Sequence, residues 1–186
     1  MAERILRHDV VMAGIGGGGV QLAGRLLAEA GLARYKHVAL VPSYGIAMRG
    51  GASECTVILS ADRIASPLVS ETEAAILFDS SLLKQYEGRV RPGGVLLVEK
   101  GRLEEEVERE DIEVMLLPAL EEAVALGEGR ASNLILLGSY VAVTKAVPPE
   151  LIEKELEKRF QGKGETLALN RQAFSRGLEL GKGRSI

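Results

Sequence analysis

The sequence predicts one α/β domain over residues 1–186, a mostly parallel sheet flanked by helices, and three observations predict it. Short apolar runs alternate with helical patterns for most of the length, the order that builds strand-helix-strand units. The first apolar run, Val10-Val11-Met12-Ala13, passes through a glycine cluster straight into the helical stretch Val20 to Ala30, which makes a Rossmann-like start. No repeat or low-complexity linker divides the chain, and its 186 residues suit a single substantial core.

Strands are expected at 9–14, 37–42, 54–60, 74–78, 94–99 and 112–117. Asp79-Ser80-Ser81 reads as a cap for the short helix Leu82 to Tyr86, and Arg91-Pro92-Gly93-Gly94 as a turn feeding the fifth strand. The run Asn133 to Val143 is apolar on every face if helical, so it is either a central helix or one covered by a partner chain. That segment, with the flat glycine loops described next, gives the motive to expect self-association of the isolated chain. Pro148-Pro149-Glu150 opens an amphipathic helix, and Asn170 to Leu180 forms another, both placed to dock or close the fold.

Two glycine-rich loops are the candidate sites. In the first, Gly14, Gly16 and Gly19 have the spacing that lets backbone approach a pyrophosphate on a helix N-terminus, with Gly17 and Gly18 between them. The acidic residue that would hold a ribose about 20 positions on is missing from Ala33 to Val41, which speaks against a nicotinamide or flavin site. The same glycines also suit an anion, or tight helix-on-strand packing. The second loop, Tyr44-Gly45-Ile46-Ala47-Met48-Arg49-Gly50-Gly51, sets one arginine among glycines at 45, 50 and 51. Its guanidinium is a planar fork suited to carboxylate or phosphate, although a surface turn with a solvated arginine has the same composition.

A net charge of -3, with no basic stripe and few aromatic residues, argues against nucleic acid. The charged N-terminus does not read as a signal peptide, and no apolar run approaches a membrane span, so a cytoplasmic location is expected. Cys55 is the single cysteine, and His8 and His37 are the two histidines. No metal site is expected from them, and Cys55 reads as a small buried hydrophobe in an alternating strand.

Together these segments resemble the gamma subunit of 2-oxoacid:ferredoxin oxidoreductases. The likeness is carried by Gly14 to Gly19 with Ala23-Gly24 and Leu27-Ala28, Pro42-Ser43-Tyr44-Gly45, Arg49-Gly50-Gly51 and Cys55-Thr56-Val57, and continues through Ile64-Ala65-Ser66-Pro67, Pro92-Gly93-Gly94, and Asn133 with Leu137-Gly138. Two positions depart from the pattern: Gly18 stands where glutamine is common, and Ile46-Ala47 where Pro-Glu is common. The form Pro42-Ser43-Tyr44-Gly45 points to the 2-oxoglutarate or branched-chain branch, with an indolepyruvate-type small subunit as the alternative.

The resemblance implies coenzyme A-dependent oxidative decarboxylation of a 2-oxoacid, with electrons passed to ferredoxin. It implies thiamine diphosphate, iron-sulfur clusters and coenzyme A in an assembly with alpha, beta and, where present, delta subunits. The chain alone is expected to be inactive, because one cysteine holds no cluster and no thiamine-site motif is present. Arg49, with Tyr44 beside it, is the expected active-site or coenzyme A contact. Gly14, Gly16, Gly17, Gly18, Gly19, Gly45, Gly50 and Gly51 are the expected backbone contacts to an anion. A non-catalytic scaffold subunit and a free-standing nucleotide-binding protein are the readings from other classes.

Overall fold

The computed structural model describes residues 7–16, 18–43, 52–101 and 106–182. A six-stranded sheet has the order β2-β3-β1-β4-β5-β6. Its strands are β1 (Arg7–Ile15), β2 (His37–Ser43), β3 (Ala52–Ser60), β4 (Thr72–Leu77), β5 (Val90–Glu99) and β6 (Glu113–Leu117). β1, β4, β5 and β6 pair in parallel, while β3 runs against both β1 and β2. β3 is therefore the one reversed strand in the sheet.

The central strand shows why the apolar runs are continuous rather than alternating. Val10 and Met12 enter the core under the helices, Val11 and Ala13 enter a second core on the other face, and all four are buried. A strand covered on both faces has no polar positions to spare. Asp9 is the buried exception: its carboxylate accepts the Glu73 backbone N–H at 2.7 Å and pairs with Arg7 at 3.0 Å and Arg91 at 3.1 Å.

Five longer helices lie on one face: α1 (Val20–Gly31), α3 (Ala119–Ala125), α4 (Ser132–Thr144), α5 (Pro149–Arg159) and α6 (Gly164–Gly181). The short α2 (Leu83–Tyr86), entered by a 3-10 turn that Asp79 caps through the Ser81 N–H, closes the second core with Leu83 and Tyr86. α4 is the all-apolar segment, and of its two expected settings the structure shows the central one. Leu134, Ile135, Leu137 and Tyr140 are fully buried in the chain's own core, so the motive for self-association through this helix disappears.

The cover over α4 is α6, and the two backbones nearly touch. A Cβ at Gly138 would lie 2.3 Å from the Phe174 carbonyl oxygen, and one at Gly177 would lie 2.1 Å from that of Ile135. The expected helix at 170–180 thus begins six residues earlier, at Gly164, because it must run the length of α4 to bury it.

The expected turn at Arg91-Pro92-Gly93-Gly94 is instead inside β5. The β4 partners jump from Thr72–Val90 to Ala74–Val95, so four residues of β5 bulge opposite Glu73 alone. Gly93, at φ 77°, permits the bulge, and Gly94 lets the strand pass the Glu73 carbonyl, which a Cβ would approach to 2.4 Å. Among the described residues, no helix is long and apolar enough to cross a membrane.

Candidate functional site

The glycine turn sits at the C-terminal end of β1 and opens α1, where ligand loops gather in open α/β sheets. Its glycines do different work. Gly14 packs: a Cβ there would meet Phe78 Cβ and Val20 Cγ2 at 2.9 Å. Gly19 is the N-cap of α1 at φ 74°, and a Cβ on it would lie 2.2 Å from Asn133 Nδ2, whose amide donates to the Gly19 carbonyl at 3.3 Å. Gly16, at φ 59°, has nothing within 4 Å of a notional Cβ, and Gly18 has only ordinary contacts. Among the described residues, nothing crowds Gly16 or Gly18, and no side chain caps the first N–H groups of α1. Gly17 lies outside the described residues.

The segment 44–51 also lies outside the described residues, so Tyr44, Gly45, Arg49, Gly50 and Gly51, with Ile46 and Ala47, have no described position. Its two attachment points do. Ala52 pairs with Ile15 and Ser53 with Gly14 across the β1–β3 ladder, and Ser43 pairs with Glu54 across β2–β3. Both ends of the segment are thus rooted at the edge of the sheet from which the glycine turn emerges. Gln21, in the first turn of α1, fastens the root by donating to Ser53 Oγ at 3.1 Å and the Glu54 carbonyl at 2.9 Å.

The same topology bears on the dinucleotide reading. In a Rossmann unit the second strand lies beside the first and brings its ribose-binding acid to the glycine turn. Here β3 separates β2 from β1, and β2 ends in Pro42-Ser43. The missing acid and the inserted strand point the same way.

Below the root, on the sheet face away from α1, lies a polar group that the sequence did not single out. Glu54 Oε2 accepts from Tyr86 Oη at 2.5 Å and from Arg89 at 3.0 Å, and Arg89 also donates to the Val69 and Ser70 carbonyls. Glu54, Val69, Ser70 and Arg89 border a cavity of about 460 Å³ with Val41, Ser43 and Thr56. Burial and the bond to Glu54 push the Tyr86 phenol well above its ordinary range, so it stays protonated. The one available signal was Glu54 as the single charged residue of the strand. Tyr86 and Arg89 are 32 and 35 residues from it in sequence, and only the fold unites them.

A second cavity, of about 490 Å³, opens beside Gly19 between the N-termini of α1, α4 and α6, with Arg130, Asn133, Thr166 and Asn170 in its wall. Cys55 is fully buried under α1, and burial pushes its thiol up to about 12, which leaves it no nucleophilic character near neutral pH. Among the described residues, no group of three or more His, Cys, Asp or Glu is placed to hold a metal ion. The described site contains no activated nucleophile, and its polar groups at the start of α1 are backbone N–H groups.

A sequence profile of the family described as pyruvate ferredoxin/flavodoxin oxidoreductase matches residues 9–180. Ketoisovalerate oxidoreductase subunit VorA of Methanothermobacter marburgensis is 32% identical over 171 residues, which cover 91% of this chain and 36% of that subunit. The chain therefore spans about a third of the length of that relative. 2-Oxoglutarate synthase subunit KorC of Methanocaldococcus jannaschii is 29% identical over 182 residues, 95% of either chain. The gamma subunit of a keto/oxoacid ferredoxin oxidoreductase from Geobacter sulfurreducens superposes with a TM-score of 0.80 at 28% identity, over 94% of this chain and 98% of that one.

Proposed function

Because the chain belongs to the pyruvate ferredoxin/flavodoxin oxidoreductase family, we propose that it is the gamma subunit of a multi-subunit 2-oxoacid:ferredoxin oxidoreductase. It works with alpha, beta and, where present, delta subunits in the coenzyme A-dependent oxidative decarboxylation of a 2-oxoacid, and the electrons leave to ferredoxin. A 2-oxoglutarate or branched-chain substrate is favoured by the Pro42-Ser43-Tyr44-Gly45 form and by the likeness to subunits named for 2-oxoglutarate and ketoisovalerate.

The observation that carries the reading is the Ile15–Ala52 pairing, which roots the Arg49 segment beside the glycine turn. That arrangement suits an anionic group held from two sides, by backbone N–H groups at Gly16 to Gly19 and by a guanidinium from the segment between Ser43 and Ala52. Thiamine diphosphate, coenzyme A and the clusters supply decarboxylation, acyl capture and electron transfer in such an enzyme. One buried cysteine does not fit a cluster, so those groups belong on partner subunits. This chain's part is to bind and orient the carboxylate or phosphate presented to it.

The scaffold reading draws on a specific observation of its own, the packing of Gly14 on Phe78 and of Gly19 on Asn133. The deciding experiment is reconstitution with co-expressed alpha and beta partners, followed by dye reduction with 2-oxoglutarate, 3-methyl-2-oxobutanoate, pyruvate and indolepyruvate. Activity is expected only in the assembled form, with one of the first two acids preferred. Turnover by the lone chain, or full activity of partners without it, would overturn the proposal.

A further inference from the structure

At the opposite end of α1, α4 and α6 from the glycine turn, a cavity of about 340 Å³ is lined by Val141, Ala142, Val147, Pro148 and Leu178. Its remaining walls carry Arg34, Lys145 and Lys182. Among the described residues, no acidic residue lines it. Glu150 and Glu179 are the nearest acids in sequence, and Glu179 is already bound to Arg176 at 2.9 Å. Among the described residues, none of the three cations makes an ion pair; Arg34 only overlies the Tyr35 ring at 5.8 Å. α4 has 13 residues, so its length alone puts this cavity about 20 Å from the Asn133 end at the glycine turn.

Cations beside helix C-termini ordinarily serve the helix dipole, and Lys145 and Lys182 are the C-caps of α4 and α6. The charge balance leaves a surplus. Three helix C-termini carry roughly half a negative charge each and the N-terminus of α5 at Pro149 roughly half a positive one, so with Glu150 counted the three cations still leave a surplus of about one. A cavity with an apolar floor under net positive charge fits a ligand with the converse build. At about 340 Å³ it is near the lower end of small-molecule sites, which run from about 300 to 1,000 Å³, and too small for a partner helix.

We propose that this cavity binds a small amphiphilic anion, an alkyl chain bearing a carboxylate or phosphate head. The chain lies on Val141, Ala142, Val147 and Leu178, and the head lies among Arg34, Lys145 and Lys182. The site is independent of the oxoacid reading and is tested on the chain by itself.

The experiment is titration of the ¹⁵N-labelled chain with hexanoate, octanoate, decanoate, decyl phosphate and the uncharged decanol, read by amide chemical shifts. Shifts are expected at Val141, Ala142 and Leu178 and not at Gly16 to Leu22. Affinity should rise roughly fourfold per added methylene until the cavity is full. Decanol should bind at least tenfold more weakly than the better of the two anions, and comparison of decanoate with decyl phosphate identifies the head. The exposed double variant Arg34→Glu/Lys182→Glu, with its fold checked by circular dichroism, should lower that anion's affinity about tenfold or more. Affinity independent of chain length, equal binding of decanol, shifts centred on the glycine turn, or an unaffected double variant would each overturn the proposal.

Discussion

The side-chain amide of Asn133, at the start of α4, donates to the carbonyl of Gly19 at the start of α1, and it fills the space where a Cβ of residue 19 would stand. The contact joins two helix N-termini beside the glycine turn. It also separates Gly16 and Gly19, the two positive-φ glycines among the described residues of the turn, by role. Gly19→Ala meets both left-handed strain, roughly 1–2 kcal/mol, and a collision with Asn133, so a loss of about 2–4 kcal/mol is expected. Gly16→Ala meets only the strain and should cost about 1–2 kcal/mol. At roughly 2–4 °C per kcal/mol for a chain of this size, thermal melts resolve the two. Equal losses would refute the packing role given to Gly19.

Gly138→Ala and Gly177→Ala test the α4–α6 contact with an effect of unusual sign. Alanine favours an exposed helix over glycine by about 1 kcal/mol. Here each new methyl group would strike backbone of the facing helix. Overpacking at about 1–3 kcal/mol therefore outweighs the propensity gain, and denaturant melts should show both variants destabilised. A stabilised variant would mean that the helices are farther apart than described.

The Glu54 carboxylate is held between the fully buried Tyr86 and the partly buried Arg89, beneath the root of the 44–51 segment. Hydrogen bonds to charged groups are worth about 1.5–3 kcal/mol, and Tyr86→Phe and Arg89→Met should each lose an amount of that order. Combining either with Glu54→Gln should cost less than the sum, since the variants remove one shared network. Strict additivity in a urea-melt cycle would show that the three groups act separately.

Cys55 gives a pH dependence of definite sign. Its thiol is held at about 12 in the fold against 9.0 ordinarily, chiefly by burial and then by Glu54. A raised pKa stabilises the fold fully below pH 9, and the contribution is lost as pH climbs through the window from about 9 to 12. The loss is at most about 1.4 kcal/mol per pH unit within that window. The stability advantage of the native chain over Cys55→Ala should therefore shrink above pH 9. A thiol reagent at pH 8 should label Cys55 only at the rate of unfolding, and rapid labelling of the folded chain would contradict its burial.

Arg49 is the sharpest functional bet. In the reconstituted complex, Arg49→Ala should lower kcat/KM about tenfold to a hundredfold, the value of one charge-assisted contact, while assembly on gel filtration is unchanged. Arg49→Lys should recover part of the loss, because it keeps charge without the bidentate fork. An unchanged kcat/KM for both 2-oxoacid and coenzyme A would make the segment structural.

By itself the sequence determined the local elements. All six strands fall where apolar runs predict them, the Gly14 to Gly19 turn joins β1 to α1, and the Asp79 and Pro149 helix starts are where their side chains place them. Those features follow from periodicity, φ preference and capping, which act within a few residues. The tertiary structure decided what depends on partners far along the chain. It reversed β3 and inserted it between β1 and β2, drew Pro92-Gly93 into a bulge against Glu73, and covered α4 with α6 in place of a second chain. It also brought Tyr86 and Arg89 to Glu54, and Arg34, Lys145 and Lys182 to one cavity. Strand order and side-chain convergence are fixed by long-range burial and packing, whose partners no local window contains.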